Sequence, residues 1–160
     1  MNADELNRRY AAGERDFSFV NLRGVNLTEV NLQGAILWGA DLARANLTAA
    51  NLRQTKLSSA NLAGTILWRA DLTQATLHRA NLSKSILIKA ILGEVDLSEA
   101  LLIKADLRLA QLTRAKLTKA KLKGADLRYA EIRLVDISGT DLNQTILNGA
   151  NLSGENLLAN

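Results

Sequence analysis

The sequence predicts an all-β solenoid wound around one narrow aliphatic core and fronted by a short helix. Three observations carry this. From Phe17 to Leu157 every fifth residue is Phe, Leu or Ile, without a slip or an insertion. Two residues before it, in nearly every unit, stands a small residue, most often Ala, as at Ala40, Ala45, Ala50, Ala60 and Ala70. Asn or Asp commonly lies between them, as at Asn21, Asn26, Asn31, Asp41 and Asn46. The unit is therefore A-(N/D)-L-x-x. Hydrophobic residues make up 48% of the 160-residue chain but aromatics only 4%, so the core is aliphatic.

Residues 1–14 come before the repeat and read as a helix. Asn2 or Asp4 can cap its start, it runs to Ala12, and Gly13 stops it. Leu6 and Tyr10 are four apart and share a face. A helix there serves as a lid on the open edge of the first coil. The opening residues are polar and mixed in charge, which does not suit a secretory signal.

Residues 15–160 carry the repeat as a single domain. A period of five fits neither regular element. On an α-helix it advances each Leu by about 140°, so no single face results. On one continuous strand an odd period sends alternate Leu residues to opposite faces. Both conflicts vanish if the chain turns a corner once per unit, with Ala and Leu inward and Asn/Asp outward. Gly24, Gly34, Gly39, Gly64, Gly124, Gly139, Gly149 and Gly154 all occupy the last slot, which suits a corner at positive φ. Coils then stack at about 4.8 Å. Each buried Leu contributes at most roughly 1.5–3 kcal/mol. Small Ala beside bulky Leu implies a narrow, dry interior without room for a ligand.

Uninterrupted A-(N/D)-L-x-x tandems resemble the pentapeptide-repeat family, and the opening ELNRRYAAGERDFS followed directly by repeats is similar to its cyanobacterial members. The resemblance covers residues 15–159 and implies a right-handed quadrilateral parallel β-helix. With four units per coil, the chain holds about seven coils and is roughly 35 Å long. The C-terminal stretch NLSGENLLAN has no matching lid, so Leu157 and Leu158 become a candidate contact for a homodimer stacked end to end. A frayed last coil is the alternative.

With a 20-residue coil, positions 20 apart stack. Ile66 stacks with Ile86, Trp68 with Ile88, and Leu109 with Tyr129. Ile91 lies round one corner and Leu101 and Ile103 round the other. Together they form a candidate partner surface centred on Ile66, Trp68, Ile86 and Ile88. Ladder packing of β-branched residues is the competing reading. The stretches AILWGAD (35–41) and TILWRAD (65–71) lie one and a half coils apart, so Trp38 and Trp68 fall on opposite faces. A candidate basic patch gathers Lys116, Lys119, Lys121 and Lys123 at one corner, with Arg79, Lys84 and Lys104 nearby. It suits phosphate backbones or an acidic protein; a solvated charged face is the alternative.

Nothing in the sequence supports catalysis. The chain has no Cys and one His, His78, so no cofactor or metal site is expected. Asp106 and Asp126 stack about 5 Å apart but outward, which does not favour acid–base work. No phosphate loop or nucleophile elbow occurs. No run is long enough to span a membrane. These readings point to a cytoplasmic, non-enzymatic scaffold for an unidentified protein partner. Nucleic-acid backbone binding through Lys116–Lys123 ranks second. The family resemblance adds regulation of cell differentiation, and gyrase binding by acidic DNA mimics. The net charge of +4 and the uninterrupted repeat depart from the mimics.

Overall fold

The computed structural model describes residues 1–152. Helix α1 spans Ala3–Ala11, one residue short of the expected end, with Ala12 as its C-cap. Asn2, rather than Asp4, is the N-cap: its side chain accepts from the Glu5 N–H at 2.9 Å. Asp4 and Glu5 in the first turn and Arg8 and Arg9 in the last complement the helix dipole. Leu6 is fully buried in the same apolar cluster as Phe17 and Leu22. The Tyr10 hydroxyl donates to the Gln33 carbonyl at 2.8 Å, and the Met1 ammonium donates to the Asn21 carbonyl.

Beyond α1, parallel bridges join each residue of the Asn/Asp slot to the residue twenty positions on, from Asp16–Ile36 to Glu131–Asn151. A five-residue unit and a 20-residue offset give four sides per coil. Each unit bends through a four-residue turn, as where the Val25 N–H donates to the Leu22 carbonyl at 3.1 Å. The third turn residue has positive φ, the signature of a type II turn. Every last-slot residue from Phe19 to Gly149 shares this conformation, but only seven of them are Gly; twenty carry side chains. The preference for Gly is thus overridden at most corners. A non-glycine residue there costs roughly 1–2 kcal/mol, which inter-coil bonds must offset.

Those bonds satisfy almost the whole backbone, as the unit Val20–Gly24 illustrates. The Leu22 N–H donates to Asp41 O at 2.8 Å and the Gly24 N–H to Ala43 O at 2.9 Å in the next coil. At the same slot one coil on, the Asp41 N–H donates back to Val20 O. The small residue's N–H closes the turn. Only the fourth residue's N–H lacks a backbone acceptor, and the Asn/Asp side chain provides one: the Arg23 N–H donates to Asn21 Oδ1 at 3.1 Å. The same bond recurs at Asn46, Asp71, Asp96, Asp126 and Asp141. Asn and Asp therefore close the corner turn as well as facing outward, since a short acceptor can reach two residues ahead.

Ala and Leu line the interior. Thr55, Thr65 and Ser85 take Ala slots and donate their buried hydroxyls to leucine carbonyls at 2.7–2.8 Å. Toward the end of the described chain, Ile137, Leu142, Leu147 and Leu152 are only partly buried. A small apolar pocket there is lined by leucines and isoleucines of the last two described coils, among them Leu117, Leu122, Ile132, Ile137, Leu147 and Leu152. Leu157 and Leu158 lie outside the described residues.

Candidate functional site

One side of the coil stack carries the expected apolar centre. Ile66 and Ile86 are bridged neighbours, flanked along the stack by Asn46 and Asp106. Trp68 and Ile88 occupy the fourth slot of the same two units. Trp68 is 41% exposed and Ile86 37%, while Ile66 and Ile88 are half-buried. Leu109 and Tyr129 stand exposed at the corner of this side, further along the stack. The Tyr129 ring lies across Gly149, where an added Cβ would sit 2.6 Å from it. Ile91 is bridged to Asp71 and Gln111 round one corner. Leu101 is bridged to Asn81 and Lys121 round the other, with Ile103 in its unit. All three are half-buried.

Beyond Ile86 the side becomes charged. Arg108 grips Asp106 through two bonds of 2.9 and 2.8 Å, and Arg128 grips Asp126 in the same way. The hydrogen bond from Arg128 holds the Asp126 carboxyl below the usual carboxylate range, against the opposing effect of burial. Asp106 and Asp126 are bridged neighbours engaged by arginines rather than by a shared proton: Arg108 holds Asp106 and lies 3.9 Å from Asp126, which Arg128 also holds.

The basic corner is less uniform than the linear sequence suggests, because folding brings acids from other coils. Arg79 is paired with Glu99 at 2.8 Å. That bond lowers the Glu99 pKa, helped by the charges of Arg79, His78 and Lys119. Lys116 is bridged between Asp96 and Asp136, and Lys121 between Leu101 and Asp141. Burial pushes Asp96 up, but hydrogen bonds from Ser98 and the Lys116 charge outweigh it and leave the carboxyl lowered. Asp136 is lowered by Ser138 first, then by Thr118 and Lys116. Lys84, Lys104 and Lys123 are exposed and make no ion pair with a described residue.

Register places Trp38 on the side opposite Trp68. There Trp38 meets Phe19 edge-to-face with ring centroids 4.7 Å apart, and both are exposed. The 20-residue register puts the Phe19 corner one coil before the Trp38 unit, which is the sequence signal for this contact. Among the described residues, no group of three or more His, Asp and Glu side chains is placed to hold a metal ion. Among the described residues, no helix is long and apolar enough to cross a membrane.

The family model for pentapeptide repeats matches residues 26–64, 55–93, 90–128 and 130–157. Among solved structures, HetL is a pentapeptide repeat protein involved in heterocyst differentiation regulation in the cyanobacterium Nostoc sp. strain PCC 7120. It is 30% identical, over 95% of this chain and 93% of HetL, with a TM-score of 0.36. The pentapeptide repeat protein alr5209, from Nostoc PCC 7120, is 34% identical over 91% of this chain and 95% of its own, with a TM-score of 0.30. QnrB1, a plasmid-mediated fluoroquinolone resistance protein, shares the fold at 16% identity, over 85% of this chain and 79% of its own, with a TM-score of 0.57. No curated protein sequence matches. The unbroken five-residue register and the family match together establish that this chain belongs to the pentapeptide-repeat family, whose members fold as right-handed quadrilateral β-helices.

Proposed function

We propose that the protein is a non-enzymatic interaction scaffold, a rigid rod that presents the Ile66–Trp68–Ile86–Ile88 side to a protein partner. One observation carries this reading. Trp68 shares a flat, exposed side with three isoleucines from two successive coils, and ladder packing alone does not require an exposed Trp. Leu109 and Tyr129 extend the surface along the corner; Ile91, Leu101 and Ile103 lie at its margins. The regulatory role attached to HetL agrees with a scaffold of this kind. In this proposal the rod has about seven coils, α1 is its lid, residues 15–160 form one domain, and it works in the cytoplasm. Leu157 and Leu158 remain the candidate contact for pairing between two copies.

Affinity capture from the native organism tests the reading. Trp68→Asp/Ile88→Asp should lose a partner that the wild type retains, and retention of every partner would contradict it. Backbone binding to nucleic acid is the second reading, favoured by the unpaired Lys84, Lys104 and Lys123. The acids beside Lys116, Lys119 and Lys121 weaken it. Salt-dependent retention on DNA, lost in Lys119→Glu/Lys121→Glu/Lys123→Glu, would support it. The resistance activity of QnrB1 is not carried over, because the likeness is one of fold alone and this chain is net basic.

A further inference from the structure

The apolar side is bordered by cations along both edges. One corner carries Gly64 beside Ile66, Lys84 beside Ile86 and Lys104 beside Asp106 one coil on; Arg69 and Lys89 stack at the other. All four cations are exposed, and none forms an ion pair with a described residue. Arg69 lies with its guanidinium 5.4 Å from the Trp68 ring centroid. The carboxylates close by are already engaged: Asp106 by Arg108, and Asp71, round one corner, by Arg53 at 3.0 Å.

The middle of the strip is also short of acceptors. In neighbouring units Asn46 accepts the Thr48 N–H and Asp106 accepts the Arg108 N–H. Ile66 and Ile86 replace that acceptor with an alkyl group. The N–H groups of Trp68 and Ile88 therefore have no acceptor among the described residues. Across two coils the side thus combines aliphatic and indole surface with Arg69 and Lys89 on one edge, Lys84 on the other with Lys104 one coil beyond, and spare donors between them.

Resting on the scaffold reading above, we propose that the occupant is an acidic amphipathic helix of the partner protein, lying along the rod. Its apolar stripe packs on Ile66, Trp68, Ile86 and Ile88, and its flanking Asp or Glu side chains meet Lys84 and Lys104 on one edge and Arg69 and Lys89 on the other. The dimensions agree. One side of the coil is about 10 Å wide at roughly 3.3 Å per residue. A helix with its side chains is about 10–12 Å across. Two coils offer about 10 Å of height, close to two helical turns. So small a strip suits one helix rather than a standard interface of about 800 Å² per partner. Complementary charge on both edges would set the helix in register and speed its encounter. A lipid surface fits less well, because the half-buried Ile66 and Ile88 do not reach beyond the corners to enter an acyl layer.

The test uses fluorescent peptides of about 14 residues, near the length at which an isolated helix begins to form. One carries a Leu stripe flanked by Glu on both sides; its twin has Lys in place of Glu. By fluorescence anisotropy at about 50 mM salt, the Glu peptide should bind the full chain and the Lys twin should not. Binding should weaken as salt rises. It should fall roughly tenfold both in Lys84→Glu/Lys89→Glu and in Trp68→Asp/Ile88→Asp, with Lys121→Glu/Lys123→Glu unaffected. Equal binding of the two peptides, no binding of the Glu peptide, or loss only in Lys121→Glu/Lys123→Glu would overturn the inference. So would phosphatidylserine vesicles that bind the wild type and are lost in the same variants that leave peptide binding unchanged. The native partner separates this inference from the scaffold reading. A partner lost in Trp68→Asp/Ile88→Asp but kept in Lys84→Glu/Lys89→Glu ends the acidic-helix inference alone. A partner kept in both ends both.

Discussion

Replacing Gly34 or Gly39 with alanine separates two costs that meet at the corners. Both residues sit in the last slot at positive φ, 69° for Gly34 and 62° for Gly39. A Cβ on Gly34 meets nothing within 4 Å, so Gly34→Ala changes the backbone preference alone. The left-handed conformation costs alanine roughly 1–2 kcal/mol, and stiffening of the unfolded chain returns about 0.4–1 kcal/mol. The net loss is about 1 kcal/mol. A Cβ on Gly39 would instead lie 2.8 Å from two Phe19 ring atoms, too close for carbon. The exposed ring can swing aside, but it then leaves its edge-to-face contact with Trp38, worth about 0.5–1.5 kcal/mol. Gly39→Ala should therefore cost about 2 kcal/mol, the two contributions together. In a Phe19→Ala background the excess over Gly34→Ala should disappear. Urea unfolding followed by circular dichroism measures this, with an unchanged m value as the condition for comparison. A neutral Gly34→Ala would refute the backbone argument. Equal losses for both glycines in the wild-type background would refute the steric one.

Other expectations follow from the same structure. Leu72→Ala, in the fully buried middle of the stack, should cost about 3–5 kcal/mol by urea unfolding, whereas Leu147→Ala, only partly buried, should cost clearly less. Asn46→Ala removes the acceptor for both the Thr48 N–H and hydroxyl and should cost about 1 kcal/mol or more; Asn46→Asp should retain most of the stability. Asp71, Asp96, Asp126 and Asp136 all have lowered pKa values in the folded chain. Their stabilisation is present above the unfolded carboxyl value near 3.9 and is lost as pH falls through the folded values. The urea midpoint should therefore drop below about pH 4, and Asp126→Asn should flatten part of that drop.

Much of the architecture was legible because a period of five is incompatible with a continuous helix or strand. Leu at 22, 27 and 32 had to point inward, and Gly at 24 and 34 marked the bend between them. Stacking at twenty residues separated Trp38 from Trp68 and joined Ile66 to Ile86 before any coordinates. What escaped the sequence depended on where a side chain's second bond goes. Asn21 and its equivalents read as outward polar residues, but their carbonyl oxygen closes the corner turn. The twenty-residue register already set Lys116 between Asp96 and Asp136, but the pairing of Arg79 with Glu99 depends on side-chain reach and was not legible. Arg69 and Lys89 carry no signal of their own in the linear sequence. They became a border only when seen across the strip from Lys84 and Lys104.

Site-specific photo-cross-linking in the native cell tests the central claim most directly. A photo-reactive phenylalanine is placed either at Ile88, on the Trp68 side, or at His78, on the opposite side. A discrete partner adduct should form from position 88 and none from position 78. An adduct from position 78 with none from position 88 would contradict it.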